Sequence, residues 1–266
     1  MIKTIKTMSK QEKERYTVPR KVQDVIPVRR IWPDGIFLVG NKFSKTYKFS
    51  DINYLVASRE DKESMFLTYS ELLNSLDSGA VTKITINNRR MNQANFETSI
   101  LMPMQGDFRD EYRGEYNQML LDKATGANGI MQEKYITISV VKKDIEEARA
   151  YFSRVGADLI SHFAALGSKC VELDATERLR ILHDFYRQGE ESEFVFNARE
   201  MMKRGHSFKD YICPDGIEKK SDYLKLGGKF CRVLFLKDLA SFLKDDMIAE
   251  LSDFSRNLML SIDILP

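Results

Sequence analysis

Apolar residues recur along this chain with two periods, and each change of period marks a new element. Ile145, Ala148, Phe152, Val155, Leu159 and Phe163 fall three or four apart, the spacing that lines one face of an α-helix. Asp144 with Glu147 three residues on supplies its capping box, and Gly167 its stop. A second helix is predicted to start at Ser58, with Phe66, Tyr69, Leu72, Leu73 and Leu76 on one face and Gly79 as a left-handed stop. A third is capped by Asp174 and Glu177 and reaches Tyr186. Helices are also expected over about 110–123, around 198–204, and through Met247, Leu251 and Phe254.

Alternation replaces the helical spacing elsewhere. Thr82, Ile84 and Ile86 share one face of a strand over 81–87, and Ile136, Ile138 and Val140 do so over 135–141. Runs at 25–31 and 36–39 flank Trp32-Pro33-Asp34-Gly35, where proline presets one turn residue and glycine supplies a positive φ, so they predict a hairpin. Residues 45–49 add a third strand and 170–173 a short one. Residues 217–226 and 229–236 form a hairpin about Gly227-Gly228, and 258–265 a closing strand. The connection from Val141 to Cys170 holds a whole helix, enough for a parallel, right-handed βαβ crossover. The expected class is α+β: mixed or mainly antiparallel sheets with packed helices and at least one parallel βαβ crossover.

Residues 1–22 lack a sustained period and carry seven basic against two acidic residues. They read as a flexible basic arm. A solvated tail is the favoured reading of it, with anionic lipid or nucleic acid as its alternative partners. Residues 23–266 read as one α+β domain. The polar, loop-rich stretch 190–214 allows a subdivision into about 23–189 and 190–266.

A chain of 266 residues can bury about 75% of its unfolded surface. Its 41 basic and 39 acidic residues balance, so net charge names no partner. Cys170, Cys213 and Cys231 form no C-x-x-C pair and suit a reducing compartment as free thiols. No apolar run approaches the roughly 20 residues of a membrane span, so any membrane attachment is expected to be peripheral.

The motifs of catalysis do not assemble. A phosphate-cradling P-loop needs G-x-x-x-x-G-K-[ST]; the one Gly-Lys pair, Gly228-Lys229, has Tyr223 and Phe230 at the decisive positions and sits in a predicted hairpin. His162, His183 and His206 lack zinc spacing. His183 and Asp184 are neighbours on a helix, where side chains diverge by about 100°, so an orienting pair is not expected and a surface or boundary histidine is favoured. Cys170 reads as a buried structural thiol. The doublets Glu146-Glu147, Glu190-Glu191 and Asp245-Asp246 give no facing carboxylate pair. No catalytic, cofactor-binding or metal-ligating residue is assigned. Two basic clusters remain as a candidate interaction surface: Arg29 with Arg30, and Arg89 with Arg90. Either can contact phosphate, although without aromatic alternation to stack bases a solvated strand end is favoured.

The overall pattern resembles a known family. It rests on Lys21-Val22-Gln23-Asp24-Val25-Ile26-Pro27, on Ser70-Glu71-Leu72-Leu73-Asn74-Ser75-Leu76-Asp77-Ser78-Gly79, on Val155-Gly156-Ala157-Asp158-Leu159-Ile160, and on Glu172-Leu173-Asp174-Ala175 through His183-Asp184-Phe185-Tyr186. Arg232-Val233-Leu234-Phe235-Leu236 and Asn257-Leu258-Met259-Leu260-Ser261-Ile262 extend it. In these segments the chain is similar to the N-terminal region of conjugative transfer ATPases of the type IV secretion class, the CagE/TrbE/VirB family of Gram-positive mobile elements. The resemblance implies a cytoplasmic protein, peripheral at the cell membrane, in a DNA-transfer machine. It also implies a non-catalytic domain, truncated before a P-loop motor that would bind ATP and magnesium. Its implied partners are inner-membrane channel subunits, together with further copies of itself. A nucleic-acid-binding module of the same machinery is the alternative.

Overall fold

A computed structural model describes residues 19–52, 54, 56–90, 101–126, 130–237, 242, 245–254 and 256–264. Among them seven α-helices and ten strands follow in the order α1 (Val22–Val25), β1 (Val28–Ile31), β2 (Phe37–Val39), β3 (Lys42–Phe49), α2 (Arg59–Asn74), β4 (Val81–Arg90), α3 (Asp110–Gly126) and β5 (Ile130–Val140). There follow α4 (Ile145–Ala165), β6 (Cys170–Glu172), α5 (Ala175–Tyr186), α6 (Ala198–Arg204), β7 (Ile217–Lys219), β8 (Leu224–Leu226), β9 (Lys229–Cys231), α7 (Asp245–Ser252) and β10 (Leu258–Ile264). This is the α+β class expected. Among the described residues no helix is long and apolar enough to cross a membrane. The basic arm expected over 1–22 lies outside the described residues as far as residue 18. Its expected end is too late, because Val22 already belongs to α1 and packs on the core.

Seven strands form one sheet in the order β1-β2-β3-β5-β4-β10, with β6 beside β3. Every described ladder is antiparallel. The expected parallel crossover does not form as a bonded strand pair. β5 and β6 each pair antiparallel with β3, which lies between them. The reason is length: β2 occupies only Lys42–Ser44 of one β3 edge, which leaves Tyr47–Phe49 of that edge to β6. The β7-β8-β9 meander is a separate sheet. Residues 217–226 bend in the middle, where Lys220 donates to the Tyr223 carbonyl at 3.0 Å, so two strands replace the one expected.

One face of the large sheet is mainly apolar, the buried Lys45 on it being paired with Glu172 of β6. Phe43 and Tyr47 of β3 and Ile136, Ile138 and Val140 of β5 share that face in register and are buried beneath α2 and α4. α4 has the stripe that the sequence predicts: Ala148, Phe152, Val155, Leu159 and Phe163 are buried, Asp144 caps it, and Gly167 at φ 76° ends it. Gly156 admits Tyr47 beneath this helix; a Cβ there would lie 2.9 Å from the Tyr47 hydroxyl. In α2 the stripe begins at Met65 rather than at Phe66, which is exposed, because 65, 69, 72 and 76 are the positions that keep helical register. The helix ends at Ser75, whose N–H donates to the Glu71 carbonyl at 2.8 Å while the Leu76 N–H reaches that of Leu73 at 3.4 Å, and Gly79 does not adopt the left-handed backbone expected of it.

The opposite face supports a second core. Ala175 and Leu179 of α5 pack there with Val28, Phe37, Ile26, Phe194, Ile212 and Cys213, so residues on both sides of position 190 share it. Gly35, at φ 79°, lets the β1–β2 turn meet this layer: its missing Cβ would lie 2.0 Å from the Leu173 carbonyl oxygen. Arg178 of α5 ties the layers together, donating to the carbonyls of Gly35 and Ser44, each at 2.7 Å.

Candidate functional site

The second sheet face carries polar side chains, and beside α5 these join into one charged chain. Arg89 of β4 and Glu133 of β5 lie diagonally across adjacent strands, within reach of long side chains. Arg89 Nε donates to Glu133 Oε2 at 2.9 Å, and Arg89 Nη1 lies 3.5 Å from Asp184 Oδ2 on α5. Lys48 Nζ of β3 holds the other Glu133 oxygen at 2.6 Å, and the Tyr135 hydroxyl donates to Glu133 Oε2 at 2.8 Å. Asp184 Oδ1 meets His183 Nδ1 at 3.3 Å, and the His183 ring packs against Phe194. Three strands and a helix are thereby joined.

The pairing of His183 with Asp184 corrects the sequence expectation, as does their burial at 3% and 9% exposure. The 100° between successive residues separates Cα–Cβ directions, not the ends of side chains reaching further out. Both can therefore lean into the crevice that Arg89 and Phe194 form. This contact leaves no mark in local spacing.

The electrostatics make the network a lock. Burial disfavours the Glu133 carboxylate, but Arg89 and Lys48 outweigh it and hold its pKa down to about 2. Burial, then the Glu133 charge, pushes the Tyr135 phenol up. Burial works against the Arg89 guanidinium, yet the bond to Glu133 leaves its pKa raised. Glu133 stays ionised and Tyr135 stays protonated across the neutral range, so neither exchanges a proton there. The thiols behave alike: burial and then Glu172 push Cys170 to about 11, and burial raises Cys213 and Cys231. A neutral thiol is a poor nucleophile.

The two arginine clusters are not brought together. β1 and β4 are four strand positions apart in the sheet, about 19 Å at the usual strand spacing. Arg29 and Arg30 are both exposed on edge strand β1, with a register shift between Val28 and Arg30. A bulge with charges is a device that blunts a sheet edge. Arg89 is engaged by Glu133 and Asp184, and Arg90 ends β4, paired with Ile130.

A different surface leaves apolar side chains exposed on a helix. In α3 none of the described side chains is buried. Tyr112, Tyr116 and Met119 recur at i, i+4 and i+7 and are exposed at 68%, 43% and 42%, with Phe108 beside them. Met102 and Met104 of the preceding loop are also exposed. That loop is pinned to the helix: Asn117 exchanges two hydrogen bonds with the Met102 backbone at 2.8 and 2.9 Å, and Arg113 binds Asp107 and Asp110. The bond from Arg113 lowers the Asp107 pKa, and backbone N–H donation from Gln105, then Arg113, lowers that of Asp110. Exposed Glu111, Glu115 and Asp122 rim the stripe.

No protein-family model matches the chain, and no curated protein matches it significantly. Among the described residues no three His, Cys, Asp or Glu side chains converge as a metal site would require. The spacing 112, 116, 119 was open to sequence reading, but only the fold reveals that this helix turns no described side chain into the core.

Proposed function

We propose that this chain is a non-catalytic docking domain whose α3 face seats in an apolar groove of a protein partner. The observation that carries this reading is the exposed stripe Tyr112, Tyr116 and Met119, held on a helix with no buried described side chain. A helix that presents exposed apolar side chains at i, i+4 and i+7 suits helix-in-groove recognition, with those three as its anchors. The acidic rim selects the chemistry of the partner. Glu111, Glu115 and Asp122 repel phosphates, so this face disfavours nucleic acid and anionic lipid and favours a groove edged with basic residues.

The setting follows from the sequence resemblance. The domain places the motor of a conjugative transfer ATPase against inner-membrane channel subunits, at the cytoplasmic face of the membrane, while ATP and magnesium belong to the motor. Reconstitution with detergent-solubilised channel subunits tests it. Wild-type chain is expected to bind one of them, and the double variant Tyr112→Ser, Tyr116→Ser to bind at least about tenfold more weakly while remaining folded. Equal binding by both proteins, or magnesium-dependent ATP turnover that co-elutes with the pure chain, would sink the reading. Salt-steep DNA binding lost on replacing Arg29 and Arg30 would instead favour the nucleic-acid alternative.

A further inference from the structure

The two ends of the large sheet are finished differently. Edge strand β1 carries a register shift and two exposed arginines. Edge strand β10 carries neither. It pairs with β4 along Leu258–Ile264, and among the described residues its other side pairs with nothing. It contains no Lys, Arg or Pro, and its one charge, Asp263, is answered within the sheet by Lys83 at 3.3 Å. Such an unguarded edge is a template for another strand.

The same chain holds an unpaired segment of matching character. β9 stops at Cys231, and residues 232–237 continue without a ladder. Val233, Leu234, Phe235 and Leu236 are exposed at 71%, 81%, 80% and 55%. Four consecutive apolar residues without alternation are the pattern of a strand covered on both faces, yet these are covered on neither. A β10–β10 pairing between copies would leave this run bare, and a run-to-run pairing would leave both β10 edges bare. Joining the run of one copy to β10 of another satisfies both, and doing so reciprocally gives a closed two-fold dimer without a growing end.

We propose that residues 232–236 of one copy add as a strand to the free edge of β10 in a second copy, and that the exchange is reciprocal. This pairing uses none of the α3 stripe residues, so dimer formation and partner docking are tested by different variants.

Sedimentation velocity on the full chain at high micromolar concentration should give a species of twice the 30.8 kDa chain mass. Leu234→Glu with Phe235→Glu, both at exposed positions, should keep the circular dichroism of the wild type and weaken dimerisation at least about tenfold. A photo-crosslinker at Leu234, in mixtures of isotope-labelled and unlabelled chains, should form adducts between copies that map to residues 258–264. A species of single-chain mass at high concentration overturns the proposal. So does a dimer whose adducts fall outside β10, or adducts confined to one chain.

Discussion

The guanidinium of Arg178 lies 4.0 Å from the centre of the Phe37 ring. It is fixed there by bonds to the carbonyls of Gly35 and Ser44 and by a third to Ser44 Oγ at 3.1 Å. Burial pulls its pKa down to about 9, so it remains charged at neutral pH. Replacing it should be felt by the whole second layer. Arg178→Met keeps much of the volume but loses three hydrogen bonds and the stacking, for an expected loss of about 2–4 kcal/mol in urea unfolding. Arg178→Lys should recover only part of this, because an ammonium lacks the planar fork that reaches both carbonyls. A lysine variant as stable as wild type would contradict the bridging role.

The Glu133 network predicts a pH dependence of defined sign. In the folded protein the carboxyl titrates at about 2 against an ordinary 4.5. A depressed carboxyl contributes fully above its unfolded pKa and loses that contribution as pH falls through its folded one. Wild type should therefore be more stable than Glu133→Gln near neutrality. The gap should shrink by on the order of 2 kcal/mol between about pH 5 and about pH 2, after allowance for partial solvent screening. Denaturation midpoints for both proteins across that window check it, and parallel curves would show that Glu133 is not held by its partners.

Gly156 offers a reversal of helix propensity. Glycine to alanine inside a helix ordinarily gains about 1 kcal/mol. Here the new Cβ would lie 2.6 Å from Glu172 Oε1 and 2.9 Å from the buried Tyr47 hydroxyl. Gly156→Ala should instead destabilise by about 1–3 kcal/mol, as overpacking does. Thermal unfolding beside Gly114→Ala, whose Cβ would meet only the Met104 methyl at 3.6 Å, separates packing from propensity.

What the sequence disclosed and what it hid divide along a physical line. The caps at Ser58, Asp144 and Asp174, the turn at Gly35 and the apolar stripe of α4 are local, set by residues within a turn or two, and were legible. α1 was missed, its residues divided between the basic arm that ends at Val22 and the strand run that begins at Val25, because four residues give no period to count. The contacts of Arg89 and Asp184, 95 positions apart in sequence, depend on α5 crossing the sheet beside β4. No spacing encodes that crossing, so a pair of strand-end arginines read as a solvated cluster. The exposure of α3 was hidden for the same reason: a stripe at 112, 116 and 119 looks alike whether a core covers it or not.

The thiols should react in the order of their exposure. Cys170 and Cys213 are buried, and Cys231 is half-buried on β9. An aromatic disulfide reagent under native conditions should modify Cys231 first and reach Cys170 and Cys213 only on unfolding. Fast native modification of Cys170 would contradict both its burial and its raised pKa.

Docking through α3 is tested most directly by site-specific photo-crosslinking from Tyr116 in cells that are assembling the transfer channel. A covalent adduct with an integral inner-membrane channel subunit is predicted, lost when Tyr112 and Met119 are both changed to Ser. Adducts confined to nucleic acid or lipid, or a subunit adduct undiminished in that variant, would contradict it.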